Sequence, residues 1–278
     1  MRVLVTGALG MLGRDLVPEL ERRGHEVTAV DLEVDITNPA QVDACAAACR
    51  PEAVFHLAAF TDVDGAEARE DLALAVNGAG TGNVARAARR AGAALVAVST
   101  DYVFGGDAPD PYPEDAPTGP ATAYGRTKLA GERAALAEHP DGARIARTAW
   151  LYGRHGRNFV ETMLKLGAER DEVRVVDDQI GCPTWTRDLV PALIGLLARP
   201  PGVWHTAGGG APVSWAGFTE AIFAGAGLEC PVVRVSSREF VRPAPRPANS
   251  ALAVTRPGSP RLRDWRLALG DYLKERER

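Results

Sequence analysis

The sequence predicts an α/β protein, a doubly wound parallel sheet followed by a smaller C-terminal lobe. Three observations carry that prediction. Short β-branched apolar runs alternate with helical stretches through the first half of the chain, which is βαβ logic. The first such run, Arg2–Thr6, leads at once into Gly7–Gly13, with glycines at 7, 10 and 13, and then into a helical stretch through Arg23. The second run, Glu26–Val30, ends in Asp31.

A glycine turn between a strand and a helix lets backbone N–H groups and the helix N-terminus approach a pyrophosphate, so the sheet is expected to be Rossmann-type. The spacing here is G-x-x-G-x-x-G, and an ordinary tight βα turn is the alternative. Asp31 lies where a carboxylate accepts hydrogen bonds from an adenosine ribose. Asp31 and Glu33 repel a 2′-phosphate and favour NADH, whereas Arg14 offsets them if its side chain curls back. Asp35 and Ile36 follow, as an adenine contact or, for Asp35, as a cap or turn residue ahead of Pro39. A helix is expected from about Pro39 to Cys49, then a strand Ala53–Leu57, a loop over Ala58–Thr61 and a long Ala-rich helix Leu72–Ala91. Strand Ala94–Val98 delivers Ser99 and Thr100 at its carboxyl end, where ligands of open α/β sheets bind. Gly105–Pro120 is a surface loop, a flap over the site. The next helix carries Tyr124 and Lys128 and runs to about Glu138, and strand Ala143–Thr148 follows.

Beyond Trp150 the pattern loosens. Helices are expected near Asn158–Gly167, Arg187–Ala198 and Ser214–Ala226, and strands at Glu172–Val176 and Val203–Thr206. The expected division is a dinucleotide-binding domain over 1–149, with 175–207 returning to it, and a substrate-binding lobe of 150–174 and 208–278.

Composition narrows the function classes. The chain has 278 residues, 46% hydrophobic and 24% charged, with formal net charge −4. No basic stripe marks a nucleic-acid surface, no run reaches membrane-helix length, and, with the first strand beginning at Arg2, no signal peptide is expected. Cys45, Cys49, Cys182 and Cys230 form no C-x-x-C and read as free thiols of a reducing cytoplasm. The five histidines are scattered, so no metal is expected; His56 and His205 read as structural residues at strand ends.

Tyr124 and Lys128, four apart on a helix, share one face. They are either a surface tyrosine beside a lysine or an acid-base pair. A nearby ammonium lowers a phenol's pKa, and a hydroxyl from Thr100 can hold a carbonyl oxygen beside the phenol. With a hydride donor on the glycine loop, these groups suit ketone reduction.

Several blocks together resemble the extended short-chain dehydrogenase/reductases and, more narrowly, the dTDP-4-dehydrorhamnose reductase family, across nearly the whole length. They are Gly7–Gly13, His56–Asp64, Val76-Asn77, Ser99–Phe104, Tyr124–Lys128, Arg147–Trp150, Asn158-Phe159, Asp178–Thr184 and Arg246–Ser250. The resemblance implies reduction by NADPH or NADH, with dual use expected, of the C4 ketone of a dTDP-linked 4-keto-6-deoxyhexose. It implies catalytic Thr100, Tyr124 and Lys128, with Lys128 on the nicotinamide ribose. It implies cofactor contacts from Gly7, Gly10, Met11, Leu12, Asp31, Asp35, Ile36, Ala58, Ala59, Phe60 and Asn77, besides Tyr124 and Lys128. Substrate contacts would come from Thr100, Asp101, Tyr102, Trp150, Asn158, Gln179, Thr184 and Arg246. Trp150 lies against the sugar or is a core tryptophan; Arg246 pairs with pyrophosphate or is a solvated loop arginine. The substrate is the rhamnose precursor or another dTDP-keto-deoxysugar, such as one of the dihydrostreptose branch. A non-catalytic cofactor-binding regulatory subunit is the reading from another class. A cytoplasmic monomer or homodimer is expected.

Overall fold

The computed structural model describes residues 1–276. Its first half builds β1 (Arg2–Thr6), α1 (Gly13–Arg22), β2 (Glu26–Val30), α2 (Pro39–Cys49), β3 (Ala53–His56), α3 (Val63–Ala68), α4 (Glu70–Leu74), α5 (Thr81–Ala91), β4 (Ala94–Thr100), α6 (Ala123–Glu138) and β5 (Ala143–Thr148). The second half adds β6 (Leu151–Tyr152), α7 (Phe159–Glu169), β7 (Val173–Val176), β8 (Ile180–Gly181), β9 (Thr184–Trp185), α8 (Thr186–Leu196), β10 (Gly202–His205), β11 (Val213–Ser214), α9 (Trp215–Ala226), β12 (Val232–Val235) and α10 (Trp265–Arg276).

The central sheet has six parallel strands in the order β10-β5-β4-β3-β1-β2. Strand order reverses between β1 and β3, which opens a crevice at their carboxyl ends. Parallel strands buried on both faces must be apolar throughout. Val3, Leu4 and Val5 are each no more than 3% exposed, which fits. Leu4 faces the side lined by Val42, Val84 and Ala88, whereas Val3 and Val5 face Leu16, Leu193 and Trp204. Helices thus cover both faces of one sheet.

β10 joins β5 at the sheet edge, and α8 returns to α1 through Thr186 Oγ1, which donates to Asp15 Oδ2 at 2.5 Å. β7 instead pairs in parallel with β12, outside the central sheet. It packs with α7, α9 and α10 around a core that includes Phe218, Trp265 and Tyr272.

The helix expected over Leu72–Ala91 is one rod in three parts. A π-helical turn, Ala75–Gly80, separates α4 from α5. π-turns tend to accompany functional sites because they re-aim a side chain; this one carries Asn77.

Candidate active site

Thr100 ends β4, and Tyr124 is the second residue of α6. Thr122 caps that helix by accepting from Gly125 N at 2.9 Å, and Glu67 Oε1 accepts from Ala123 N at 2.8 Å. Arg126 forks onto Glu70 at 2.8 and 2.7 Å, so α3 and α4 both grip the first turn of α6. The Tyr102 and Tyr124 rings meet edge to face, with centroids 5.8 Å apart.

Burial pushes the Tyr124 phenol up to about 12, the Asp101 charge adds to this, and the Thr100 hydroxyl opposes it. This reverses the expectation that Lys128 lowers that pKa. The physical reason is that desolvation dominates and the Lys128 ammonium is engaged elsewhere, donating to Val98 O at 2.7 Å. Lys128 itself is brought down to about 8 by burial, against the pull of Glu132. A phenol that stays protonated at neutral pH beside the Thr100 hydroxyl has a proton it can donate.

The glycine loop leaves the carboxyl end of the same sheet, after β1. Gly7 has φ +71, and a Cβ there would lie 2.5 Å from Ala58 N, so only glycine lets the loop cross the end of β3. No side chain caps the N-terminus of α1, and a Cβ on Gly10 would meet only Gly7 O, at 3.3 Å, beside open space. Such an uncapped helix start under a glycine turn fits a pyrophosphate. Met11 and Leu12 lead directly into that helix. Asp31 Oδ2 accepts from Leu9 N at 2.8 Å, and Arg14 Nε curls back to Leu9 O at 2.9 Å. A carboxylate and a guanidinium therefore flank one loop residue, and the residues fit a dinucleotide with either kind of ribose.

Asp35 is a turn residue: its Oδ1 accepts from Thr37 N at 2.9 Å and Thr37 Oγ1 at 2.7 Å. Ile36 is buried, and its carbonyl takes Asn83 Nδ2 at 3.0 Å. Asn77 Oδ1 accepts from Phe60 N at 2.8 Å, and Nδ2 donates to Phe60 O and Thr127 Oγ1, both at 3.1 Å. It ties the half-buried Ala58–Phe60 loop to α6. His56 is neutral, lowered to about 3 by burial with Lys128 adding to the effect. Its tautomer follows from its partners. Thr81 Oγ1 donates to Asn77 O at 2.7 Å, so His56 Nε2 donates to Thr81 and Nδ1 accepts from Thr6 Oγ1.

Trp150 has φ +47, a left-handed backbone that a bulky residue adopts only when packing imposes it. Its ring stacks on Trp215 at 3.3 Å and lies on Gly181, where any Cβ would collide with the indole. Asn158 is spent on local structure, capping α7 through Glu161 N at 3.1 Å and donating to Gly153 O at 2.8 Å. Thr184 is fully buried and accepts from Gly208 N at 2.9 Å. Gln179 is half-buried beside β8. Arg246 is only 14% exposed and pairs with Asp64 at 2.9 Å, so it is not a solvated loop arginine. Nothing local in the sequence marks Trp215 or Glu67 as part of the site, whereas Asp64 closes the His56–Asp64 block.

The sequence model of one family, described as the RmlD substrate binding domain, matches residues 1–278. The chain belongs to that family. A dTDP-4-dehydrorhamnose reductase of Streptomyces griseus is 48% identical, over 96% of this chain and 91% of its own length. A probable dTDP-4,6-dihydroxy-2-methyloxan-3-one 4-ketoreductase of Streptomyces antibioticus is 44% identical, over 99% and 95%. The crystal structure of a Bacillus anthracis dTDP-4-dehydrorhamnose reductase in complex with NADP superposes with a TM-score of 0.95, at 40% identity and over 99% of both chains. This member of the RmlD family has no helix, among its described residues, long and apolar enough to cross a membrane.

Proposed function

We propose that the protein reduces the C4 ketone of dTDP-4-dehydro-6-deoxy-L-mannose to dTDP-L-rhamnose, using NADPH or NADH. The observation that carries this reading is Tyr124 beside the Thr100 hydroxyl, one helical turn from the buried Lys128, at the carboxyl end of the sheet from which the glycine loop also leaves, in a chain similar over nearly its full length to dTDP-4-dehydrorhamnose reductases. When bound, the reduced nicotinamide supplies the hydride that C4 receives. Tyr124 gives its phenolic proton to the ketone oxygen as the C–O π bond opens, and Thr100 holds that oxygen in place. Lys128 binds the nicotinamide ribose. Trp150 lines the sugar site. Arg246 pairs with the substrate pyrophosphate in exchange for Asp64, since a guanidinium suits phosphate oxygens. Residues 1–149 and the α8–β10 segment form the cofactor half, and the remainder forms the nucleotide-sugar half. The same reading makes the protein a cytoplasmic enzyme, monomeric or homodimeric.

A second keto-deoxysugar substrate is favoured by the 44% identity to the Streptomyces antibioticus protein. Supplying both dTDP-keto-sugars and following loss of reduced-cofactor absorbance separates the two. Absence of turnover with the rhamnose precursor sinks the leading assignment.

Two further outcomes are expected. Asp31→Ala removes the carboxylate that repels a 2′-phosphate, so the ratio of kcat/KM for NADPH over NADH rises by about tenfold or more, the scale of one lost charge contact. An unchanged ratio takes Asp31 out of cofactor selection. Lys128 is charged below about 8 and loses its charge as pH rises through that value. Cofactor affinity, read by fluorescence quenching, therefore weakens across that region in the wild type and is flat in Lys128→Gln. A slope that survives in the variant contradicts the assignment.

A further inference from the structure

Asp101 stands directly behind the catalytic hydroxyl. It is 3% exposed, and its Oδ1 lies 2.9 Å from Thr100 Oγ1. Its Oδ2 is fully buried and has no hydrogen-bond partner. Thr100 Oγ1 also accepts from Tyr102 N at 3.2 Å. A hydroxyl has one proton and two lone pairs, so the Tyr102 amide occupies one lone pair and Asp101 competes for the rest.

The groups facing Asp101 are uncharged at neutral pH. They are the Ser250 hydroxyl, the Tyr102 and Tyr124 phenols and the Cys182 thiol, and the Asp101 charge raises the last three. On α6 the Lys128 ammonium is turned to Val98 O, and Arg246, which acts on Tyr102, is paired with Asp64. A buried carboxylate without a cation neutralises readily. Burial pushes Asp101 up to about 6, with Ser250 and then Thr100 opposing the shift.

We propose that Asp101 is a positioning residue that sets the direction of the Thr100 hydroxyl. As a neutral acid it donates to Thr100 Oγ1 and leaves the Thr100 proton for the substrate oxygen; as a carboxylate it captures that proton. In this reading Asp101, which the resemblance places among the substrate contacts, acts on the substrate through Thr100. In the carboxylate state Tyr124 is the single donor to a ketone oxygen. In the neutral state Thr100 joins it, and the two donors converge on the atom where negative charge develops. The inference rests on the ketone-reductase reading of the site.

The test is the pH profile of kcat/KM for keto-sugar reduction between about pH 5 and 9, in the wild type, Asp101→Asn, Thr100→Ala and the double variant. The wild type is expected to show a lower break near the Asp101 ionisation, above which the rate falls by up to about tenfold per pH unit, and a separate upper break from Lys128. Asp101→Asn keeps a donor on Thr100 at every pH, so its lower break vanishes and the upper one remains. In the Thr100→Ala background Asp101→Asn changes nothing. A lower break that persists in Asp101→Asn, or an equal loss from that variant with and without Thr100, overturns the proposal.

A second readout uses the wild type and Thr100→Ala without turnover. The infrared carbonyl stretch of a protonated aspartic acid is expected to fade as pH rises through the lower break and to shift when Thr100 is removed. Absence of such a band at every pH overturns the proposal even if Asp101→Asn fails to fold. A wild type that turns over no keto-sugar refutes the reductase reading instead, and the band then still decides whether Asp101 holds a proton against Thr100.

Discussion

Tyr124→Phe lowers keto-sugar reduction by about 10²–10⁴-fold, the usual worth of a positioned general acid, while cofactor affinity stays within about twofold of wild type, since a lost contact of under about 0.5 kcal/mol is no more than that. The substitution removes one oxygen from a ring held on the first turn of α6, packed edge to face on Tyr102, so the site around it keeps its shape. Burial holds the phenol protonated far above neutral pH, so the wild type does not lose its proton donor within the working range. Single-turnover loss of reduced-cofactor absorbance, read beside cofactor fluorescence titration, gives both numbers. Unchanged turnover in the variant removes Tyr124 from the mechanism. A wild type that binds cofactor yet reduces no sugar returns the chain to a regulatory role.

Arg147→Ala destabilises the protein by about 3–5 kcal/mol, the cost of leaving one partner of a buried ion pair alone. Arg147 and Glu132 are 5% and 4% exposed, with a 2.7 Å contact between Nη2 and Oε2 and a 2.9 Å one between Nε and Oε1. Ser99 Oγ donates to the same carboxylate at 2.5 Å. This cluster joins β4, β5 and α6 directly behind Thr100 and Lys128, so activity at moderate temperature falls with stability. Pairing Arg147→Met with Glu132→Leu removes both charges and is expected to cost less than either single change, because no unpaired charge stays buried. Urea unfolding midpoints check this. A double variant weaker than both singles contradicts it.

How much of this was legible in the sequence depended on whether the signal was local. The strands of the central sheet were readable because burial on both faces demands unbroken apolar runs such as Val3-Leu4-Val5 and Val54-Phe55. The glycine loop was readable because its turn and the helix start are neighbours in sequence. α10 was missed although its buried residues, Trp265, Ala268, Leu269, Tyr272 and Leu273, repeat with helical spacing. β12 is four residues long and is defined by its partner β7, which lies far away in the chain. The direction of the Tyr124 shift was beyond local reading. Spacing places Lys128 beside the phenol, whereas only the packed structure shows the ammonium bonded to Val98 and the ring sealed from water. Asn77, Asn158 and Thr184 were legible as special positions. The structure spends their side chains on the loop, a helix cap and a backbone amide.

Reduction with a nicotinamide deuterated at the transferred position follows the hydride from cofactor to sugar. The expected product is dTDP-L-rhamnose carrying one deuterium at C4 by mass and NMR, formed by the wild type and lost with Tyr124→Phe. Product without deuterium at C4, or recovery of the keto-sugar unchanged in the presence of bound cofactor, contradicts it.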